Sequence, residues 1–193
     1  MAIRKSFPLT KNFLCAQLIF LCMLSLCYLL DSAQRFGIDA ISTLGTRQAT
    51  IIPYSLGYLT VAASLFYIAL KLSKYDQTLR KFSLAIKILC ICVLGILCTP
   101  FTLSFTVLIV HGLFLLVLIF TELYLAFLIV KKHSNDTYIK LLLILQLLGI
   151  SLLVTSLSEV GITSVLGLGE LISVIAFCLI LTRKLYFLEK YAE

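Results

Sequence analysis

Residues 102–130 read TLSFTVLIVHGLFLLVLIFTELYLAFLIV, and this stretch decides the fold. A helix that crosses the hydrocarbon core of a bilayer needs about 20 mostly apolar residues. This run exceeds that length, so it predicts a spanning helix long enough to tilt or to project beyond the hydrocarbon. Its only imidazole and carboxylate side chains are His111 and Glu122.

The rest of the chain repeats the pattern. Apolar segments at residues 12–30, 51–71, 82–98, 138–157 and 163–182 also qualify as spans. Pro100 falls between the third and fourth segments, where its missing N–H does no harm. Gly161 falls between the fifth and sixth, and Pro53 in the first turn of the second, where proline is tolerated. Over the 193 residues, 61% are hydrophobic and 13% charged. Globular domains hold roughly 45–50% and roughly 25%. Mean hydropathy is +1.11. A soluble domain of this size cannot hide that much apolar surface, so a soluble enzyme, a disordered chain, a nucleic-acid-binding domain and a disulfide-stapled secreted module are excluded. The expected fold class is all-α: one polytopic membrane helix bundle of six transmembrane helices over residues 1–193. The first segment follows Arg4, Lys5 and Lys11, as a signal peptide would, but Leu30-Asp31-Ser32-Ala33 makes a poor cleavage site. It is read as an uncleaved span.

The net charge is +7. Laid across six spans, the basic residues separate by side. Arg4, Lys5, Lys11, Lys71, Lys74, Arg80, Lys81, Lys131, Lys132, Lys140, Arg183, Lys184 and Lys190 share one side. Only Arg35 and Arg47 fall on the other, and Lys87 lies one turn inside the third span. The bias predicts that both termini are cytoplasmic in a cell membrane. The excess charge then reports topology and attraction to anionic lipid rather than nucleic acid. The sequon at Asn135-Asp136-Thr137 falls on the inner side and is discounted. The seven cysteines form no C-x-x-C pair and read as small apolar filler. Cys27 and Cys98 both fall near the outer rim, which leaves a bond between them open.

No phosphate loop, nucleophile elbow, zinc motif or carboxylate pair is present, so neither a cofactor nor a metal is expected. The candidates are polar groups at membrane depth, where an ionisable residue marks a site by default. His111 and Glu122 are eleven residues apart, three turns, and share a helix face with Ser104. About 16 Å of helix separates His111 from Glu122, so they are separate stations along one seam. Glu122 is expected to reach toward Lys131 or Lys132. In the sixth span Glu170 lies in Gly167-Leu168-Gly169-Glu170, whose glycines admit a neighbouring helix, with Ser173 following. An ionised carboxylate at mid-membrane costs about 2.5–3.5 kcal/mol, so Glu170 should be protonated, paired or wet. Its depth matches that of His111, which allows a His111–Glu170 pair. Gln146, Gly149, Ser151 and Thr155 of the fifth span are expected to serve interhelical hydrogen bonding. The loop 31–50 carries Asp39 and Ser42 and is long enough to fold over the outer mouth of the bundle.

These residues also carry a likeness. Ile41-Ser42-Thr43-Leu44-Gly45 matches an Ile-Ser-x-Leu-Gly segment, followed by a glycine, Gly57, in the second span. A proline turn at Pro100 precedes His111-Gly112, and Gly167 to Glu170 forms Gly-x-Gly-Glu. In these features, spread over most of its length, the chain resembles a family of six-helix prokaryotic membrane proteins catalogued as domain of unknown function nine-nine-eight. That family usually has a basic residue after the Glu, where Leu171 stands here. The resemblance implies a six-helix fold and marks Ser42, Gly45, His111 and Glu170. It implies no activity, since the family has none settled.

Three functions fit. The first is a small membrane protein that binds or transports a lipid-like or small amphipathic ligand in its outer half, at Ser42, Asp39, His111, Glu170, Ser104 and Glu122. The second is an intramembrane lipid-modifying enzyme, with His111 as base and Ser42 as nucleophile. The third is a non-catalytic accessory subunit, partnered by another membrane protein or a second copy. One buried histidine and no ligand cluster weigh against the enzyme.

Overall fold

A computed structural model describes residues 8–31, 40–74, 79–100, 102–157 and 165–190. Among these residues are six helices long and apolar enough to cross a membrane. They are α1 (Leu9–Leu30), α2 (Ile51–Ser73), α3 (Arg80–Cys98), α4 (Phe105–Lys132), α5 (Thr137–Leu157) and α6 (Leu166–Lys190). A short 3-10 turn, Ile41–Thr46, precedes α2. No strand occurs among the described residues.

Each helix packs on its neighbour in sequence, and α6 returns to α1, so the six close into a ring. The helix ends follow local chemistry. Ser104 caps α4 by accepting the Val107 N–H at 3.2 Å. Asp136 caps α5 by accepting the N–H groups of Tyr138 and Ile139 at 3.0 and 3.3 Å. Lys131 and Lys132 complete the last turn of α4, where the helix dipole favours cations.

The outward faces are as apolar as the inward ones. Leu29, Ile52, Phe105, Phe120 and Ile144 all project outward, as lipid-facing side chains do. Lipid tails are as apolar as leucine, so transfer from water does not hold such helices together. Close packing must, and it depends on small residues. Ala62, Ala69, Ala85, Ala126 and Ala176 are buried at the interfaces. The tightest approach is between α5 and α6. A Cβ on Gly149 would meet the Ser173 backbone nitrogen at 2.6 Å, and one on Gly169 would meet the Gly149 carbonyl at 2.8 Å. Only glycine permits that crossing.

Two apolar clusters pack inside the ring. The larger lies toward the α4–α5 turn and includes Phe13, Ile68, Ile86, Leu125, Ile139, Ile180 and Leu185. The smaller joins Phe20, Leu24 and Cys27 of α1 to Ile41, Leu44 and Tyr54. Polar ties between helices are sparse. Thr10 of α1 donates through its N–H and hydroxyl to Glu189 of α6, at 2.9 and 2.7 Å. Ser83 of α3 donates to the Ala69 carbonyl of α2 at 2.7 Å.

Three details depart from expectation. The sixth helix runs to Lys190 because Leu185 continues its buried stripe past the charged pair Arg183-Lys184. The fourth starts at Phe105, which puts Ser104 at the cap and out of the polar seam. Cys27 and Cys98 are both free, Cys27 buried and Cys98 exposed. The Cys27 thiol instead donates to the Thr50 carbonyl at 3.6 Å.

Candidate functional site

The 3-10 turn Ile41–Thr46 before α2 lies against the bundle. Ile41 and Leu44 insert into the smaller apolar cluster. Thr43 Oγ1 donates to the Ala40 carbonyl and Thr46 Oγ1 to the Thr43 carbonyl, which tightens the turn. Arg47 pairs with Asp31 across the base of the loop. The buried Thr50 hydroxyl donates to the Leu44 carbonyl. Gly45 allows the turn to lie against the Tyr54 ring, which a Cβ there would meet at 2.5 Å.

Glu170 is the anchor for this turn. Its Oε2 accepts the Ile41 N–H at 2.7 Å. Because α6 begins at Leu166, Glu170 sits in its opening turns rather than at mid-helix, which suits a loop-holding carboxylate. The carboxylate does not pair with His111, as the sequence had allowed. His111 is buried and held by the preceding turn instead. Its Nδ1 lies 2.7 Å from the Thr99 carbonyl oxygen and 3.2 Å from Thr99 Oγ1. A carbonyl only accepts, so Nδ1 is protonated and donates to it. Thr99 Oγ1 donates back to the Gly95 carbonyl, so α3, the Pro100 turn and α4 are tied together at this point.

Glu122 does not reach toward Lys131 or Lys132. It is buried at 6% exposure and faces the ring interior. Across from it Gln146 of α5 is fully buried, and its amide is close enough to the Glu122 carboxyl to act on it. Gln146 belongs to the inward stripe of α5 with Ile139, Leu142 and Leu153, so helix geometry obliges it to face in. Thr155 donates to its own helix, at the Ser151 and Leu152 carbonyls, and Ser151 is exposed.

Between the two apolar clusters the ring is incompletely filled. A cavity of about 70 Å³ is lined by Ser42, His111, Glu122, Glu170 and Ser173, with apolar walls from Phe20, Tyr58 and Leu118. At roughly 10–15 Å³ per water it has room for several. Ser42 makes no hydrogen bond to His111 across it. A second cavity of about 80 Å³ shares the walls Phe20, Tyr58, Leu118, Glu122 and Val174 and continues toward Phe13 and Gln17. A third, about 190 Å³, lies along the α1–α6 seam between Leu14, Leu18, Leu171 and Ile175. Phe20 and Val174 line all three. The series is polar at the loop end and apolar at the seam.

Four of the sequence candidates, Ser42, His111, Glu122 and Glu170, thus meet in one cavity. Ser104 stays outside it as an exposed helix cap. Asp39 lies outside the described residues. The residues the sequence did not single out are Phe20, Tyr58, Gln17 and Val174. The signal for Tyr58 was its spacing of four from Tyr54, which brings the rings together, tilted by 33°, with centroids 4.5 Å apart. Among the described residues no three His, Cys, Asp or Glu side chains converge as metal ligands.

The fold and cavity define a membrane-type helical ring with a polar-to-apolar interior. Comparison with protein-family models, with curated proteins and with solved structures finds no match.

Proposed function

We propose that this chain is a small integral membrane protein of the cell membrane, with both termini cytoplasmic, that binds or carries a lipid-like amphiphile. The observation that carries the reading is the series of three adjoining cavities. One end offers the hydroxyls of Ser42 and Ser173, the His111 imidazole and the carboxyls of Glu122 and Glu170, and the other is a seam rich in leucine between α1 and α6. That gradient matches a molecule with a polar head and a hydrocarbon tail. Apolar cavities readily take apolar ligands, and a seam open to lipid has acyl chains at hand. The orientation rests on the thirteen basic residues sharing one side. Kinship to the six-helix family marked by Ser42, Gly45, His111 and Glu170 is part of the same proposal.

Native mass spectrometry of the purified protein tests it. The wild type should retain a bound amphiphile, and Val174→Trp, which fills the junction of all three cavities, should lose it. Retention by that variant, or a wild type that carries none under conditions that preserve its fold, refutes the reading. The runner-up is an intramembrane lipid-modifying enzyme in the same cavity. It draws on one observation: the Thr99 carbonyl accepts from His111 Nδ1 and so orients the imidazole at the cavity wall. Ser42→Ala separates the two, since it abolishes such chemistry and leaves amphiphile binding in place. A non-catalytic accessory role would instead show as a stoichiometric membrane-protein partner or a second copy in mild detergent.

A further inference from the structure

The opposite end of the bundle holds a second concentration of unusual chemistry. The buried stripe of α6 passes through Ser173, Ala176, Phe177, Ile180 and Leu181 and then reaches Lys184. Lys184 is only 4% exposed. Its Nζ lies 3.4 Å from Nε2 of His133, the residue that ends α4. An ammonium can only donate, so Nε2 accepts and the imidazole proton sits on Nδ1. Burial, with Lys184 and Lys132 close by, holds the His133 imidazole below its usual range, which agrees with a neutral ring in that accepting role. The ring is fixed by stacking on Phe187, with centroids 4.5 Å apart and planes 19° apart.

The acid of this neighbourhood is already committed. Asp136 Oδ2 accepts from Arg183 Nε at 3.2 Å, and Oδ1 caps α5. Burial opposes ionisation of Asp136, but Arg183 and the N–H groups of Ile139 and Tyr138 outweigh it and hold the carboxyl below its usual range. No carboxylate among the described residues therefore faces the Lys184 ammonium, whose charged neighbour is Lys132. A buried charge without a counter-charge is costly. On the far side of His133 from Lys184 lies an open surface cleft, walled by Lys132, His133, Asn135, Asp136, Tyr138 and Phe187, in which Lys184 itself takes no part.

We propose that this cleft binds a phosphate group, with the His133 Nδ1–H as donor and Lys132 as counter-charge, while Lys184, behind the ring, holds the His133 proton on Nδ1. The group is either the headgroup of an anionic lipid or a free phosphate. The site is independent of the interior cavities.

The full-length protein, reconstituted in nanodiscs of a zwitterionic lipid, is melted with and without two probes. One is phosphatidylglycerol mixed into the disc, and the other is inorganic phosphate against chloride at matched ionic strength. With a probe at ten times its Kd, the wild type should melt about 3–6 °C higher. Lys184→Met should lose the shift, while Lys131→Met, on an exposed lysine outside the cleft, should keep it. A shift with phosphatidylglycerol alone assigns the site to a lipid headgroup, and a shift with phosphate as well assigns it to the free anion. Equal shifts in the wild type and Lys184→Met, or no shift with either probe, overturn the proposal. If Lys184→Met does not fold, the same comparison is made with His133→Phe, which keeps the stack on Phe187 and removes the donor.

Discussion

The α5–α6 crossing predicts that Gly149→Ala and Gly112→Ala act in opposite directions. Both replace a helical glycine and share the same gain in helix propensity, about 0.8–1 kcal/mol. They differ in surroundings. A Cβ on Gly112 meets nothing within 4 Å, whereas one on Gly149 lies 2.6 Å from the Ser173 nitrogen and 2.9 Å from the Gly169 carbonyl. Those neighbours are backbone and cannot rotate away. Restoring a 3.4 Å contact moves α5 off α6 by about 0.8 Å. A gap of that size forfeits roughly a quarter to a half of each dispersion contact along the interface. Overpacking of this kind costs about 1–3 kcal/mol. Because propensity cancels, Gly149→Ala should be less stable than Gly112→Ala by that amount, about 5- to 150-fold in the unfolding equilibrium. Unfolding by titration with sodium dodecyl sulfate in mixed micelles reads the difference directly. If Gly149→Ala unfolds together with Gly112→Ala, or later, the close crossing is wrong.

Three further predictions follow from single contacts. Glu170→Leu leaves the Ile41 N–H without its acceptor, at about 1–3 kcal/mol, so limited proteolysis within the 31–50 loop should accelerate about 5- to 150-fold, and Glu170→Gln should largely prevent this. Asp136 is held below its usual range in the folded state, so its contribution is complete above a pH of about 4 and is lost as pH falls through the folded value. Melting temperature measured from pH 6 to pH 3 should fall less steeply in Asp136→Asn than in the wild type, and parallel curves would deny the Arg183 contact its role. A membrane-permeant maleimide should label exposed Cys98 and spare buried Cys27 in the native protein without prior reduction, and labelling of Cys98 only after a reductant would mean a disulfide.

The number and order of the helices were legible in the sequence because a bilayer imposes its thickness on every span. The ends were less so. A hydropathy window falters at Arg183-Lys184, yet the helix continues because Leu185 and Phe187 still pack inward or against the neighbouring turn. Much of the candidate site was legible for a simple reason: with so few ionisable groups at depth, His111, Glu122 and Glu170 had to be considered. What each one touches was not legible. The fourth helix is apolar on most sides, so its pattern sets its rotation weakly, and Glu122, expected to reach toward Lys131 or Lys132, faces the ring interior instead. The partner of His111 is a main-chain carbonyl at Thr99, and main-chain groups carry no residue-type signal. Glu170 likewise bonds a backbone N–H. Phe20 and Val174, which join the three cavities, are ordinary apolar residues, and only the packing distinguishes them.

The most direct test of the amphiphile reading is photolabelling with a lipid that carries a diazirine midway along its acyl chain. After irradiation in bilayers, the attachment sites are mapped by peptide mass spectrometry. The account predicts labels on Phe20, Val174 and Cys178, inside the ring, and their loss in Val174→Trp. Labels confined to outward residues such as Leu113 and Phe120 would contradict it.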